Sequence, residues 1–271
     1  MAKEAFEQES SCVPSAGRPL TSAIQRDNVA AFVSQFIQRV MEKNAGSGKE
    51  AMKYPNVKKA SFIDRPNRFV AHVALDGRVE TVHVKNTGRC QELLLPGADV
   101  WLTEPDTPGR KTRYDLIAVR KQNGLLINID SQAPNKVVRE WLDNQGCDRV
   151  VPEYTYGASR IDFLLERKEE KTLMEVKGCT LEVDGIGYFP DAPTERGVKH
   201  LRELARAVSQ GYHAVLAFAI QMNGITEVRP NTATHPEFAT AMREAREAGV
   251  EILYLPCHVE PDLLVVAACP E

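Results

Sequence analysis

No run of about 18 or more apolar residues occurs in the 271-residue chain, so no membrane-spanning helix and no membrane partner are expected. The opening residues, MAKEAFEQES, lack the apolar core of a secretory signal. The six cysteines (Cys12, Cys90, Cys147, Cys179, Cys257, Cys269) form no CxxC pair, which removes support for a zinc site. Without an export signal they read as reduced thiols, and the expected location is the cytoplasm. Neither sign of charge dominates: 34 Lys+Arg stand against 37 Asp+Glu, a net charge of −3. That excludes a uniformly basic nucleic-acid coat but leaves room for a local basic face. With 43% hydrophobic and 26% charged residues, the composition also excludes extended disorder, a collagen-like repeat and a bare coiled coil.

Three regions are readable in what is present. Residues 1–51 are an extension. Val29, Phe32, Val33, Phe36, Ile37 and Val40 repeat at helical spacing, predicting an amphipathic helix over 23–43. Its apolar stripe buries against the main body or against a second copy of the chain, the latter making a homodimer. Residues 52–130 switch to a period of two, with β-like runs at 60–64, 68–75, 78–84, 98–104, 114–121 and 124–130. The pairs Asp76-Gly77 and Asn123-Gly124 predict tight hairpins. Short antiparallel strands at this density suit an OB-like β-barrel. Residues 131–271 alternate helix and strand, an α/β domain. Helices are predicted from Pro134 to about Asn144, over 195–209 with Thr194 as N-cap, and over 236–248; strands near 161–167, 172–178, 213–220 and 250–255. Charge follows these boundaries. Residues 52–130 hold 13 basic and 9 acidic residues, a net +4, whereas 131–271 hold 15 basic and 22 acidic, a net −7. The barrel is therefore the module suited to a polyanion.

The stretch that carries chemistry runs from Ser159-Arg160-Ile161-Asp162 to Glu175-Val176-Lys177. Two apolar strands flank the polar residues Lys168 to Lys171. A hairpin centred there places Asp162 opposite Lys177 and diagonal to Glu175, on one face of the pair. Diagonal neighbours lie roughly 7–8 Å apart, within reach of two carboxylate arms closing on one cation. Spacing alone leaves an Asp162–Lys177 ion pair equally open.

Several segments resemble the sugar fermentation stimulation protein family: Arg65-Pro66-Asn67-Arg68-Phe69, His83 to Arg89, Glu92 to Gly97, Asp130 to Asn135, Gly157 to Phe163, Glu175-Val176-Lys177, and Phe189 to Gly197 with Lys199-His200-Leu201. The likeness spans about 52–265. It implies a DNA-binding protein with an N-terminal OB-like barrel and a C-terminal domain similar to the restriction-endonuclease-like PD-(D/E)xK nucleases. It also implies Mg²⁺ (or Mn²⁺) held by Asp162 and Glu175, with Lys177 assisting the attacking water and Glu153 as a further acid. Cys179 and Cys90 depart from the family's usual residues without touching these positions.

Arg65, Arg68 and Arg89 sit beside turns and are expected to contact nucleic acid, mainly through phosphate. Arg160, Arg196, Lys199 and His200 join that set; the last three open a helix expected near the cluster, where they read equally as solvated charge and, for His200, a structural hydrogen bond. Phe69 reads as core or as a base-stacking face. Trp141 reads as interdomain packing. The leading expectation is a nucleic-acid-binding protein with a Mg²⁺-dependent nuclease-like site. The alternatives are a non-catalytic DNA-binding regulator linked to sugar metabolism, and a protein–protein adaptor.

Overall fold

A computed structural model describes residues 52–86 and 88–267. The helix expected over 23–43 lies outside the described residues.

Five strands close a barrel: β2 (Lys58–Asn67), β3 (Val70–Leu75), β4 (Arg78–Val84), β5 (Asp99–Thr103) and β6 (Asp115–Arg120). The ring runs β4-β3-β2-β5-β6, and a short parallel pairing of His83–Val84 with Asp115–Leu116 shuts it. Closure removes free edges and gives the OB arrangement. Alternation drives the burial: Ala71, Val73 and Leu75 of β3 point inward while the residues between them remain in contact with solvent. Asp76 and Gly77 both adopt positive φ (51° and 76°), the type I′ geometry that matches strand twist. At Asn123-Gly124 only Gly124 is left-handed (φ 89°), and Gly124 N–H bonds Lys121 O at 2.9 Å. That hairpin has a three-residue loop instead of the tight turn expected. β7 (Leu126–Asn128) extends the sheet beside β6.

Met52–Lys53 (β1) does not start the barrel as the sequence suggested. It pairs antiparallel with β16 (Leu263–Val266) at the edge of the second sheet. That sheet also holds β8 (Arg149–Tyr156), β9 (Ser159–Arg167), β10 (Glu170–Cys179), β13 (His213–Ile220) and β15 (Glu251–Glu260), in the order β1-β16-β15-β13-β10-β9-β8. The three inner strands β10, β13 and β15 are parallel. β13 reads HAVLAFAI and is buried at every residue after its first, as a strand covered on both faces should be. Helix α1 (Ala133–Leu142) covers one face, its Val137, Val138 and Trp141 clustering with Met174, Val176 and Ala217. Trp101 and Leu126 of the barrel join the same cluster, so Trp141 does help join the two units. Helices α2 (Glu195–Ser209) and α3 (Pro236–Glu247) cover the other face, over Leu173, Leu216 and Phe218. Thr194 caps α2 by accepting from Gly197 N–H at 3.0 Å. A small sheet of β11 (Leu181–Val183), β12 (Ile186–Phe189) and β14 (Val228–Pro230) leads into α2.

A buried polar network joins the units. Tyr54, Lys85 and Gln132 N–H all donate to the fully buried Asp130 carboxylate. Gln221 Nε2 from the end of β13 donates to Asn128 Oδ1 at 2.9 Å and Asp130 O at 3.1 Å. Tyr54, Asn128, Asp130 and Gln221 are buried and each is partnered, so the domain orientation is specified as well as the contact.

Candidate metal centre and nucleic-acid interface

The β9–β10 hairpin is two residues tighter than the sequence suggested. Glu170 pairs with Arg167 and Met174 with Phe163, so only Lys168 and Glu169 form the turn. The polar Glu170 and Lys171 read as turn because of their chemistry; they are the exposed start of β10. Asp162 therefore lies opposite Glu175, one step beyond the last ladder pair, and not opposite Lys177. There the backbone ladder gives way to the side chain: Val176 N–H donates to Asp162 Oδ2 at 2.8 Å. Asn135, in the first turn of α1, donates to Asp162 Oδ1 at 2.7 Å. Burial, then the neighbouring Glu175 charge, hold the Asp162 carboxyl above its ordinary value despite those bonds.

Glu175 is only 1% exposed. Its Oε1 accepts from both Lys177 Nζ and His200 Nδ1. Arg196 Nε donates to His200 Nε2 at 3.3 Å. A ring nitrogen that accepts there leaves the ring proton on Nδ1, aimed at Glu175. Burial raises the Glu175 carboxyl, but the His200 bond and Lys177 outweigh it, leaving the group below the usual carboxylate range. The two facing carboxyls are thus pushed in opposite directions. Glu175 Oε2 is buried with no hydrogen-bond partner. A buried carboxylate oxygen without a donor is costly. Together with Asp162 it forms an all-oxygen donor set that fits a hard divalent cation.

The barrel meets the second domain through Lys85 and Gly88. Ser131 N–H donates to Lys85 O at 3.1 Å, just ahead of α1. Gly88 packs so close to Asp191, on the loop into α2, that a Cβ there would collide with the Asp191 carboxylate. Arg65 holds the segment in shape. Its Nη1 donates to Gly88 O (2.9 Å) and Arg89 O (3.0 Å), its Nη2 to Arg68 O (2.7 Å) and Asn86 O (2.6 Å). All four terminal N–H groups are committed to backbone carbonyls, so Arg65 is a clamp and has none of them left for phosphate.

The other expected contacts divide. Arg68 and Arg89 are exposed on the clamped turns. Lys199 Nζ donates to Ala158 O at 2.8 Å, pinning α2 to the β8–β9 turn. Glu153 does not join the acidic pair: it is exposed on the edge strand β8 with φ 52° and bonds Arg160. Arg160 is correspondingly occupied. Phe69 is not core; it is 46% exposed. Asn135 and Asp191 were not singled out, although both lie inside segments quoted above; no residue-type pattern marks a contact made across 27 residues. A cleft of about 850 Å³ opens between the barrel and α1, with Lys53, Lys85, Arg110 and Lys136 against Asp115 and Glu140. Elsewhere, ligand atoms of Glu195, His235 and Glu237 gather within 4.8 Å. Thr194 N–H donates to His235 Nδ1, which leaves the proton on the Nε2 facing Glu195, so that imidazole is no metal donor.

Family comparisons agree with this architecture. Residues 63–129 match the model described as the SfsA N-terminal OB domain, and 132–263 the model described as the sugar fermentation stimulation protein RE domain. The chain belongs to the sugar fermentation stimulation protein family. A homolog of this family from Desulfitobacterium hafniense is 54% identical over 214 residues, covering 78% of this chain and 93% of its own. One from Ruminiclostridium cellulolyticum is 50% identical over 219 residues, covering 79% and 96%. The solved SfsA of Pyrococcus furiosus, described as a complex with Ca²⁺, is 29% identical with a TM-score of 0.70, covering 80% of this chain and 98% of that one. Among the described residues no helix is long and apolar enough to cross a membrane. The OB domain is thus an SfsA feature, and Asp162, Glu175 and Lys177 lie within the region matched to the RE domain.

Proposed function

We propose that this SfsA-family protein binds nucleic acid, DNA foremost, across the barrel and the second domain, and hydrolyses a phosphodiester with Mg²⁺ or Mn²⁺ at Asp162 and Glu175. The second domain is read as a PD-(D/E)xK nuclease fold, with Asp162, Glu175 and Lys177 at the motif positions. The observation that carries this reading is the partnerless, buried Oε2 of Glu175, a residue whose charge acts on the Asp162 carboxyl. The Ca²⁺ complex of the Pyrococcus furiosus relative supports an oxygen-donor cation site in the family. A divalent cation there supplies charge to polarise a phosphoryl oxygen and to lower the pKa of water. The protein's own groups do the positioning. Arg196 and His200 fix the Glu175 carboxylate by its Oε1, leaving Oε2 free. Asn135 and Val176 N–H fix Asp162. Lys177, 16% exposed and bonded to Glu175, stands where an ammonium can orient water and offset charge on the pentacoordinate transition state.

The test is cleavage of labelled single-stranded DNA, duplex DNA and RNA with Mg²⁺, Mn²⁺ or chelator, on wild type and Glu175→Gln. Metal-dependent cleavage lost in Glu175→Gln supports the reading. No cleavage of any substrate, with DNA binding retained, would leave a DNA-binding regulator; loss of both would favour an adaptor.

A further inference from the structure

Phe69 is the one aromatic side chain among the described residues that falls in the exposed class, at 46%. It occupies the turn between β2 and β3, and that turn is unusually well fixed. Asn67 Oδ1 accepts from both Phe69 N–H (2.9 Å) and Val70 N–H (3.1 Å), an Asx turn. Phe69 O accepts from Val84 N–H at 2.8 Å, tying the turn to the end of β4. The Arg65 clamp joins the Arg68 carbonyl to those of Asn86, Gly88 and Arg89. An apolar ring held in water by this much hydrogen bonding is preorganised for a partner.

The surroundings identify the partner. The Arg68 guanidinium lies 4.8 Å from the ring centroid. Arg89 is exposed on the second clamped turn, and its charge reaches Asp191 on the loop into α2. Past that loop, in α2, Arg196 bonds His200 and His200 bonds Glu175. A flat ring beside one arginine, on a turn clamped through Arg65 to a second exposed arginine, suits a nucleobase with its flanking phosphates. A ring can stack only on a base whose face is open, which paired and stacked duplex bases do not offer.

The geometry points to Phe69, with Arg68 and Arg89, as a stacking platform for an unpaired base, making single-stranded nucleic acid the substrate class of the Asp162–Glu175 site. This rests on the nucleic-acid reading above and adds strandedness to it.

The experiment measures binding of a fluorescein-labelled 20-nucleotide oligo-dT strand and of a labelled duplex of equal length to the full chain, in chelator so that no cleavage intervenes. Phe69→Ala should weaken the single strand about 5- to 150-fold, from about 1–3 kcal/mol per stacked base, and leave the duplex within twofold. Phe69→Trp should restore the affinity, and its added emission should be quenched by the strand. Arg89→Ala should weaken binding and shallow the single-strand salt slope by about 0.7. Single-strand affinity unchanged in Phe69→Ala, an equal loss on both probes, or wild type that binds neither, overturns the platform. If Phe69→Ala behaves as expected but no metal supports cleavage, the hydrolytic reading fails and the platform stands.

Discussion

Replacing Arg65 separates two roles that an arginine in a basic barrel can have. Its four terminal N–H groups bond four backbone carbonyls. Those of Asn86 and Gly88 are partly buried; the other two are solvent-exposed. A hydrogen bond from a charged donor contributes about 1.5–3 kcal/mol when its acceptor is shielded, while an exposed carbonyl re-bonds to water with little loss. Asp191 would also lose one of the two cations that moderate its burial-raised carboxyl. Arg65→Ala is therefore expected to destabilise the protein by about 3–5 kcal/mol. Arg65→Lys should recover less than half, because one ammonium with three donors cannot span the four acceptors. Urea unfolding gives the magnitude, and amide hydrogen exchange at Asn86 and at residues 88–90 gives the location, with protection falling there first. If Arg65→Ala stays within about 0.5 kcal/mol of wild type while DNA affinity falls with a shallower salt slope, Arg65 is a phosphate ligand and the clamp argument is wrong.

Mn²⁺ at about 100 times its Kd should stabilise wild type by about 2.7 kcal/mol, read as a shift in the urea midpoint. Asp162→Asn and Glu175→Gln should show no such shift, and an equal shift in either would place the ion elsewhere. Gly178→Ala should destabilise by about 1–3 kcal/mol, since the new Cβ would meet Gln221 Oε1 at 2.5 Å and Pro134 Cγ at 2.7 Å; wild-type stability would mean the domain junction is loose. Burial raises the Glu251 carboxyl from 4.5 to about 7. Between those values the folded chain keeps a proton that the unfolded chain has released, so this group's stabilisation is full below pH 4.5 and is lost as pH rises through about 7. Allowing for its partial solvent contact, Glu251→Gln should be about 1 kcal/mol more stable than wild type at pH 8 and equal to it near pH 4. A constant difference across that range would refute the assignment.

Much of this fold was legible because local chemistry and tertiary packing agree. α2 begins after Thr194 and stops before Gly211 because the cap and the left-handed glycine act within one turn of chain. The barrel strands emerged from period-two patterning that burial on one face enforces. What was hidden depends on partners distant in sequence. β8, β11, β12, β14 and β16 are short or carry broken patterns, such as Pro152 on the β8 edge, and pairing alone makes them strands. Asp162, Glu175 and Lys177 were readable as a set, yet their register was off by two because Glu170 and Lys171 have turn-like chemistry at an exposed strand end. Arg65 and Arg89 look alike in composition; only the placement of four carbonyls distinguishes a clamp from a free cation.

The pairing of β1 with β16 has a consequence for the order of synthesis. Met52 meets Leu264, so that edge of the large sheet joins chain segments more than 200 residues apart. Closing a loop of that length carries an entropy cost of about 5 kcal/mol, so the contact forms only once the rest of the sheet holds its ends near each other. The barrel, whose partners lie nearer in sequence, can assemble on the ribosome while the second domain is still emerging. Until Leu264 arrives, β15 keeps an unpaired edge, and a nascent chain stalled before that point would carry it exposed to other chains.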